Sequence, residues 1–294
     1  MGSQRLGGLR LRELGGKVWR ASSGDNVFGT AAELAYFFLL SLFPLLIFLA
    51  SLVGFLPGLR ENILASLGKA MPDDAMRIVE HTLRDAVGKR SRGLLSFGFI
   101  ASLLAASNGV VALIGTLNIA YEVKERRPYW KLWLIAIALT IGLSVLVIAG
   151  ALLIMFGDRL SRLSSGLLGL RSPMFSVWRA VDYLIGVALL LVAIEAAYYF
   201  GPDRNQRWQW ITPGAVFAVV ATAIGSVLFG LYLRLGPSYS ATYGSLGAVI
   251  VLMLWLYLVG LAVLIGGEIN GAIEAARDTR KTQENPITFR DVQY

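Results

Sequence analysis

Cysteine is absent from the chain, so neither a disulfide nor a thiolate metal site belongs to it. This absence suits either side of a bacterial membrane. Histidine occurs once, as His81, which leaves no histidine pair for acid–base cleavage of a phosphodiester. No P-loop pattern is present, so active transport would have to draw on a gradient or on a partner. No apolar stretch of the signal-peptide kind precedes residue 28, so a cleaved signal is not expected. Charge is also scarce. Asp, Glu, Lys and Arg make up 16% of the 294 residues, against about 25% in soluble proteins.

Apolar sequence fills the gap. The chain is 56% hydrophobic with a mean hydropathy of +0.63, which places it among polytopic membrane proteins. Its net charge of +8 and pI near 9.8 would suggest nucleic acid in a soluble protein. In a membrane protein, basic loops and termini that meet anionic headgroups account for the same excess.

The longest uncharged stretch lies between Arg234 and Glu268. It exceeds the roughly 20 residues that span a bilayer as a helix. It opens on Tyr239, Tyr243 and Gly244 and closes on Gly267, Glu268, Asn270 and Gly271, so both of its ends are polar. Five further spans precede it. Leu34–Leu59 is the first, with Glu33 at its start and Pro44 inside, where a lost backbone hydrogen bond predicts a kink or local unwinding. Glu33, Phe37, Ser41 and Pro44 share one helical face. Gly93–Tyr121 is the second and carries Asn108 and Asn118, costly if they face lipid. Leu132–Gly157 is aliphatic and expected to face lipid, with Trp130 and Trp133 as interfacial anchors. Tyr183–Gly201 contains Glu195, placed either in the interior or at the interface. The fifth span starts at Pro213, in a first turn, and bears a small-residue stripe of Gly214, Ala218, Ala221 and Gly225.

Between spans one and two, residues 60–92 read as an amphipathic segment, with Met76, Val79, Leu83 and Ala86 on one face and His81 on the polar one. Residues 1–28 read as a basic amphipathic segment at the membrane surface, with Asp25 capping the next helix. Residues 276–294 read as a mobile polar tail. The fold expected is therefore all-α: a six-helix transmembrane domain over residues 29–275, with both termini on one side.

Several segments together resemble the YihY/BrkB family of bacterial inner-membrane proteins. They are Asp25 to Pro44, with Leu34-Ala35-Tyr36 and Ser41-Leu42-Phe43-Pro44; Asn118 to Tyr121 followed by Glu125-Arg126-Arg127-Pro128; Trp210 to Gly214; Tyr239 to Ala248; and Gly267 to Asn270. The resemblance covers about residues 10–275. It implies six helices with cytoplasmic termini in the cell inner membrane. Members carry virulence-factor and ribonuclease labels, and transport of lipids or other solutes has been suggested for them.

Two functions fit the residues. In the first, Glu33, Tyr36, Ser41, Pro44, Asn108, Asn118, Arg127, Tyr239, Tyr243, Glu268 and Asn270 line a polar route for a lipid or other amphiphilic or anionic solute, formed by spans one, two and six with the start of span five. Tyrosine suits an amphiphile because its ring is apolar and its tip polar. In the second, the same residues join helices by hydrogen bonds in a non-transporting scaffold. Membrane lipids are the expected partners, with homo-oligomers through the small-residue faces. Neither a metal, a cofactor, nucleic acid nor an enzymatic activity is expected.

Overall fold

In the computed structural model the described residues are 10–55, 92–168, 173–235 and 246–284. The amphipathic segment expected at 60–92, and Tyr239 and Tyr243, lie outside them. The described residues form seven helices and no strand: α1 (Leu11–Gly24), α2 (Val27–Phe55), α3 (Arg92–Ala120), α4 (Tyr129–Leu168), α5 (Pro173–Phe200), α6 (Pro213–Leu235) and α7 (Leu246–Glu284). Five of them are long and apolar enough to cross a membrane. The sixth, α5, holds the shorter apolar segment Leu184–Phe200 within a helix of 28 residues. At about 1.5 Å per residue that helix is also long enough to cross. The protein is an all-α polytopic membrane protein.

Consecutive helices pack as antiparallel neighbours, and α7 is the hub, touching α1, α2, α3 and α6. Small residues permit the close approaches, as expected where packing rather than the hydrophobic effect drives helix association in lipid. A Cβ on Gly214 would stand 2.0 Å from the Gly266 carbonyl, and one on Gly271 would stand 2.0 Å from the Ala120 carbonyl. The stripe on α6 is thus split. Gly214 and Ala218 are buried against α7, whereas Gly225 has nothing within 4 Å. The central cluster joins Val27, Ala31 and Leu34 of α2 to Leu113 and Leu117 of α3, Ile194 and Tyr198 of α5, and Leu264 of α7. Those of α2, α3 and α5 lie toward the helix ends that share a face with α1. That face is called the termini face below.

Several boundaries differ from the sequence reading. α2 remains helical through Pro44 rather than unwinding. α3 approaches α2 closely there: a Cβ on Gly98 would meet the Pro44 carbonyl at 2.9 Å and the Phe48 nitrogen at 2.7 Å. α4 continues through Arg159 and Arg162, where a loop was expected, and α7 continues to Glu284 through the start of the expected tail. Asp25 closes α1, its N–H donating to the Ala21 carbonyl at 2.8 Å, and Asn26 stands before α2 in the left-handed region. The basic segment is a docked helix: Leu14 and Val18 are buried against Ile273 of α7, while Trp19 is exposed. Its alternation of leucine and basic residues fits this arrangement as well as it fits a lipid surface. As expected, α4 presents Leu134, Ile141, Val145 and Ile148 outward.

Candidate functional site

The polar residues gather on the termini face in two networks. The first is built on Arg127. After α3 ends, Glu122 adopts a left-handed conformation and the chain turns back toward α4. Arg127 Nε and Nη2 donate to the two oxygens of Glu125, each at 2.7 Å, and Nη2 also donates to the Gly201 carbonyl at 2.8 Å. Nε lies 3.7 Å from Asp203. Asn118 completes the knot: its amide donates to Glu125 at 2.8 Å and its carbonyl accepts the Asp203 N–H at 2.8 Å. The Asp203 carboxylate accepts the Arg126 N–H at 2.8 Å. The α3–α4 turn is thereby fastened to the α5–α6 loop. Bonded first of all by the Arg127 guanidinium, the Glu125 carboxyl is held below its ordinary range.

The sign of that shift gives a pH dependence. A carboxyl lowered in the folded state stabilises fully above its unfolded value, about 4.3, and that contribution is lost as pH falls through the lowered folded value. The termini-face turns are expected to loosen below about pH 4, read as a fall in amide-exchange protection at residues 122–127 relative to the intrinsic rate at the same pH. Glu125→Gln, which cannot ionise, should abolish the pH dependence of that protection.

The second network surrounds a small open cleft, with a free volume of about 30 Å³, between the ends of α3, α5 and α7 and the start of α6. Thr212 caps α6, accepting the Ala215 N–H at 3.3 Å, and Pro213 fills the first helical position. Asn270 of α7 accepts the Gly214 N–H at 2.8 Å and donates to the Thr212 hydroxyl at 2.9 Å. Glu195 accepts the Thr212 N–H. Gln206 donates to the Tyr198 and Tyr199 carbonyls, at 2.6 and 3.0 Å. Tyr121, Glu195, Arg207, Asn270 and Glu274 are among the residues that line the cleft. Burial first, and Glu274 second, push the Tyr121 phenol up. Trp208 packs edge to face on Tyr199, and Trp210 on Trp208.

The structure redistributes the expected site residues. Asn270 lines the cleft, and Asn118 and Arg127 lie in the neighbouring knot. Glu33 and Tyr36 are exposed on the outside of α2. Ser41 bonds back to Phe38 within its own helix at 2.7 Å, and Pro44 is part-buried against α3. Asn108 also satisfies itself locally, donating to the Leu104 carbonyl at 3.1 Å. Glu268 is buried and is not among the residues that line the cleft. The route from spans one, two and six is thus not assembled by these residues. The cleft instead belongs to the ends of α3, α5 and α7 and the start of α6. Glu195 is buried near the end of α5, where it lines the cleft. Tyr121, Arg207 and Glu274 were not foreseen as lining; the polar run from Asp203 to Gln209 after an apolar span was the available signal.

The sequence profile described as Virulence factor BrkB matches residues 18–288. The chain belongs to the BrkB family. Among its relatives, "Putative ribonuclease-like protein YfkH" of Bacillus subtilis (strain 168) is 41% identical over 256 residues, covering 87% of this chain and 92% of that protein. "UPF0761 membrane protein RC1_0578" of Rhodospirillum centenum is 27% identical, covering 97% of this chain and 64% of that longer protein. A "UPF0761 membrane protein" of Tolumonas auensis is 27% identical, covering 92% and 88%. No solved structure matches. The segments from which the BrkB resemblance was read map onto both networks: Asn118, Glu125 and Arg127 form the knot, and Thr212, Gly214 and Asn270 form the α6–α7 contact.

Proposed function

We propose that this BrkB-family protein moves a lipid or other amphiphilic, anionic solute across the bacterial inner membrane, with both termini cytoplasmic and the cleft receiving the headgroup on that side. The observation that carries this reading is the cleft itself: a polar recess with Arg207 and Glu195 in its lining, set at the end of an otherwise apolar bundle, with Trp208 packed edge to face on the lining residue Tyr199. Aromatic side chains favour the level of lipid headgroups, and an arginine beside them suits a phosphate or carboxylate. In liposomes containing the full-length protein, transbilayer movement of a fluorescent anionic phospholipid should exceed that of protein-free liposomes. Arg207→Ala should slow it about tenfold, the equivalent of about 1.4 kcal/mol. A rate no higher than that of protein-free liposomes, or one unchanged in the variant, would overturn the reading.

A scaffold reading has one observation in its favour. Asn118, Arg127 and Asn270 spend their hydrogen bonds on other helices and loops rather than on the cleft. The proposal therefore places solute contact on Arg207 and Glu195 and leaves those three to hold the bundle. The name of the Bacillus relative raises a nuclease. The proposed function is not enzymatic, and purified protein is expected to leave RNA intact.

A further inference from the structure

Glu268 is the anomaly of the bundle. It sits on α7 with 2% of its surface exposed, and its Oε1 has no hydrogen-bond partner. Gly267 beside it packs on Leu117, and Leu264, one turn earlier, belongs to the central apolar cluster. An ionised carboxylate in such surroundings needs a cation or several donors, since burying an unpaired charge is among the largest penalties a fold can carry. The neighbouring bases are committed elsewhere: Arg127 to Glu125 and Asp203, and Arg204 to Glu274 and Asp278. The Tyr198 hydroxyl donates to the Val263 carbonyl. Tyr121 faces Asn270 and Glu274. The charge that does reach Glu268 has the wrong sign: it is Asp25, in the α1–α2 turn. Among the described residues, no group of three or more metal-ligating side chains is placed to hold a cation.

A proton is the ligand that fits. A neutral carboxylic acid has no charge to compensate and tolerates an apolar site. The carboxyls that act on one another also run outward by degrees. Glu268 is buried, Asp25 is half-buried and Glu122 is exposed on the termini face. Asp25 interacts electrostatically with both of the others, and burial together with Glu122 holds its own carboxyl above the ordinary range. On α1, Ser22 is buried with an unpartnered hydroxyl three residues before Asp25, a second polar atom left unsatisfied in this region.

We propose that Glu268 is a proton-binding site of the bundle interior, with Asp25 as the acidic neighbour that tunes it. The step makes and breaks one O–H bond. A proton delivered from water adds to a Glu268 carboxylate oxygen to give the neutral acid, and the same O–H bond breaks when the proton returns to water. The site gives the protein a means to respond to a proton gradient, and it stands whether or not a solute is moved through the cleft.

Infrared difference spectroscopy on the full-length protein in lipid nanodiscs reads this directly. A protonated-carboxyl carbonyl band is expected at neutral pH, lost on raising pH and missing in Glu268→Gln. Asp25→Asn removes the adjacent negative charge and should move the pH at which the band disappears, by about one unit. Because Asp25→Asn leaves Glu268 in place, it remains informative if Glu268→Gln does not fold. Absence of a titrating band in the wild type, or its survival in Glu268→Gln, would overturn the site. An unmoved transition in Asp25→Asn would overturn the tuning of the site by Asp25.

Discussion

Alanine at Gly271 is expected to destabilise the bundle by about 3 kcal/mol, lowering its thermal midpoint in detergent by several degrees or preventing recovery of folded protein. The added methyl would lie 2.0 Å from the Ala120 carbonyl, 2.7 Å from its carbon and 3.4 Å from the Tyr121 nitrogen. These are backbone atoms at the end of α3, just before the left-handed turn at Glu122, so no side-chain rotation relieves the clash. The two helices would have to part, and with them the Asn118 knot that begins one turn earlier. Gly142 supplies the control. It lies within α4 with nothing within 4 Å of a built Cβ, so alanine there should be neutral or stabilising by up to about 1 kcal/mol from helix propensity. Equal midpoints for the two variants would mean that α3 and α7 do not approach as closely as described.

Gly267 and Gly271 lie four apart and so share a helical face, and the structure packs them against Leu117 and the Ala120 carbonyl. The six spans were legible because charge-free runs of bilayer length admit few other readings. The partner of each polar residue was not. Asn270 bonds to Thr212 and Gly214, and Asn118 bonds to Asp203, across different helices and loops. No periodicity within one helix encodes such a pairing. The sequence marked Asn108 and Asn118 alike, as amides too costly to face lipid. Asn108 meets that cost within its own turn by bonding to Leu104, whereas Asn118 meets it by joining two loops. Arg127 was assigned to an anionic headgroup from its place in a basic turn. Its partners are an acid two residues away and a loop after α5, and composition around Arg127 did not predict that the loop would reach it. The docking of helix α1 was not legible because a stripe of leucine and valine looks the same whether it covers lipid or covers Ile273.

Arg127 provides the second large effect. Its side chain is 14% exposed and ties Glu125, Asp203 and the Gly201 carbonyl together. Arg127→Ala would leave two carboxylates close to each other without their cation, a loss of about 2 kcal/mol once partial solvent access is allowed for. Arg127→Lys should recover less than half of it. An ammonium is a point charge and cannot span both oxygens of Glu125 while also reaching Gly201, as the planar fork does. The measurement is thermal unfolding of the two variants together with Glu125→Gln and the double substitution. If the knot is structural, Arg127→Ala and Glu125→Gln should be strongly non-additive, because each removes the same pair of bonds. The comparison also separates holding from transport. A residue that contacts solute should lose translocation while keeping its unfolding midpoint, as expected for Arg207→Ala. Arg127 variants should lower the midpoint first, with translocation falling only as folded protein is lost. Unchanged stability in Arg127→Ala together with abolished translocation would return Arg127 to the headgroup role read from the sequence, and would move the solute path from the α5–α6 loop toward the α3–α4 turn.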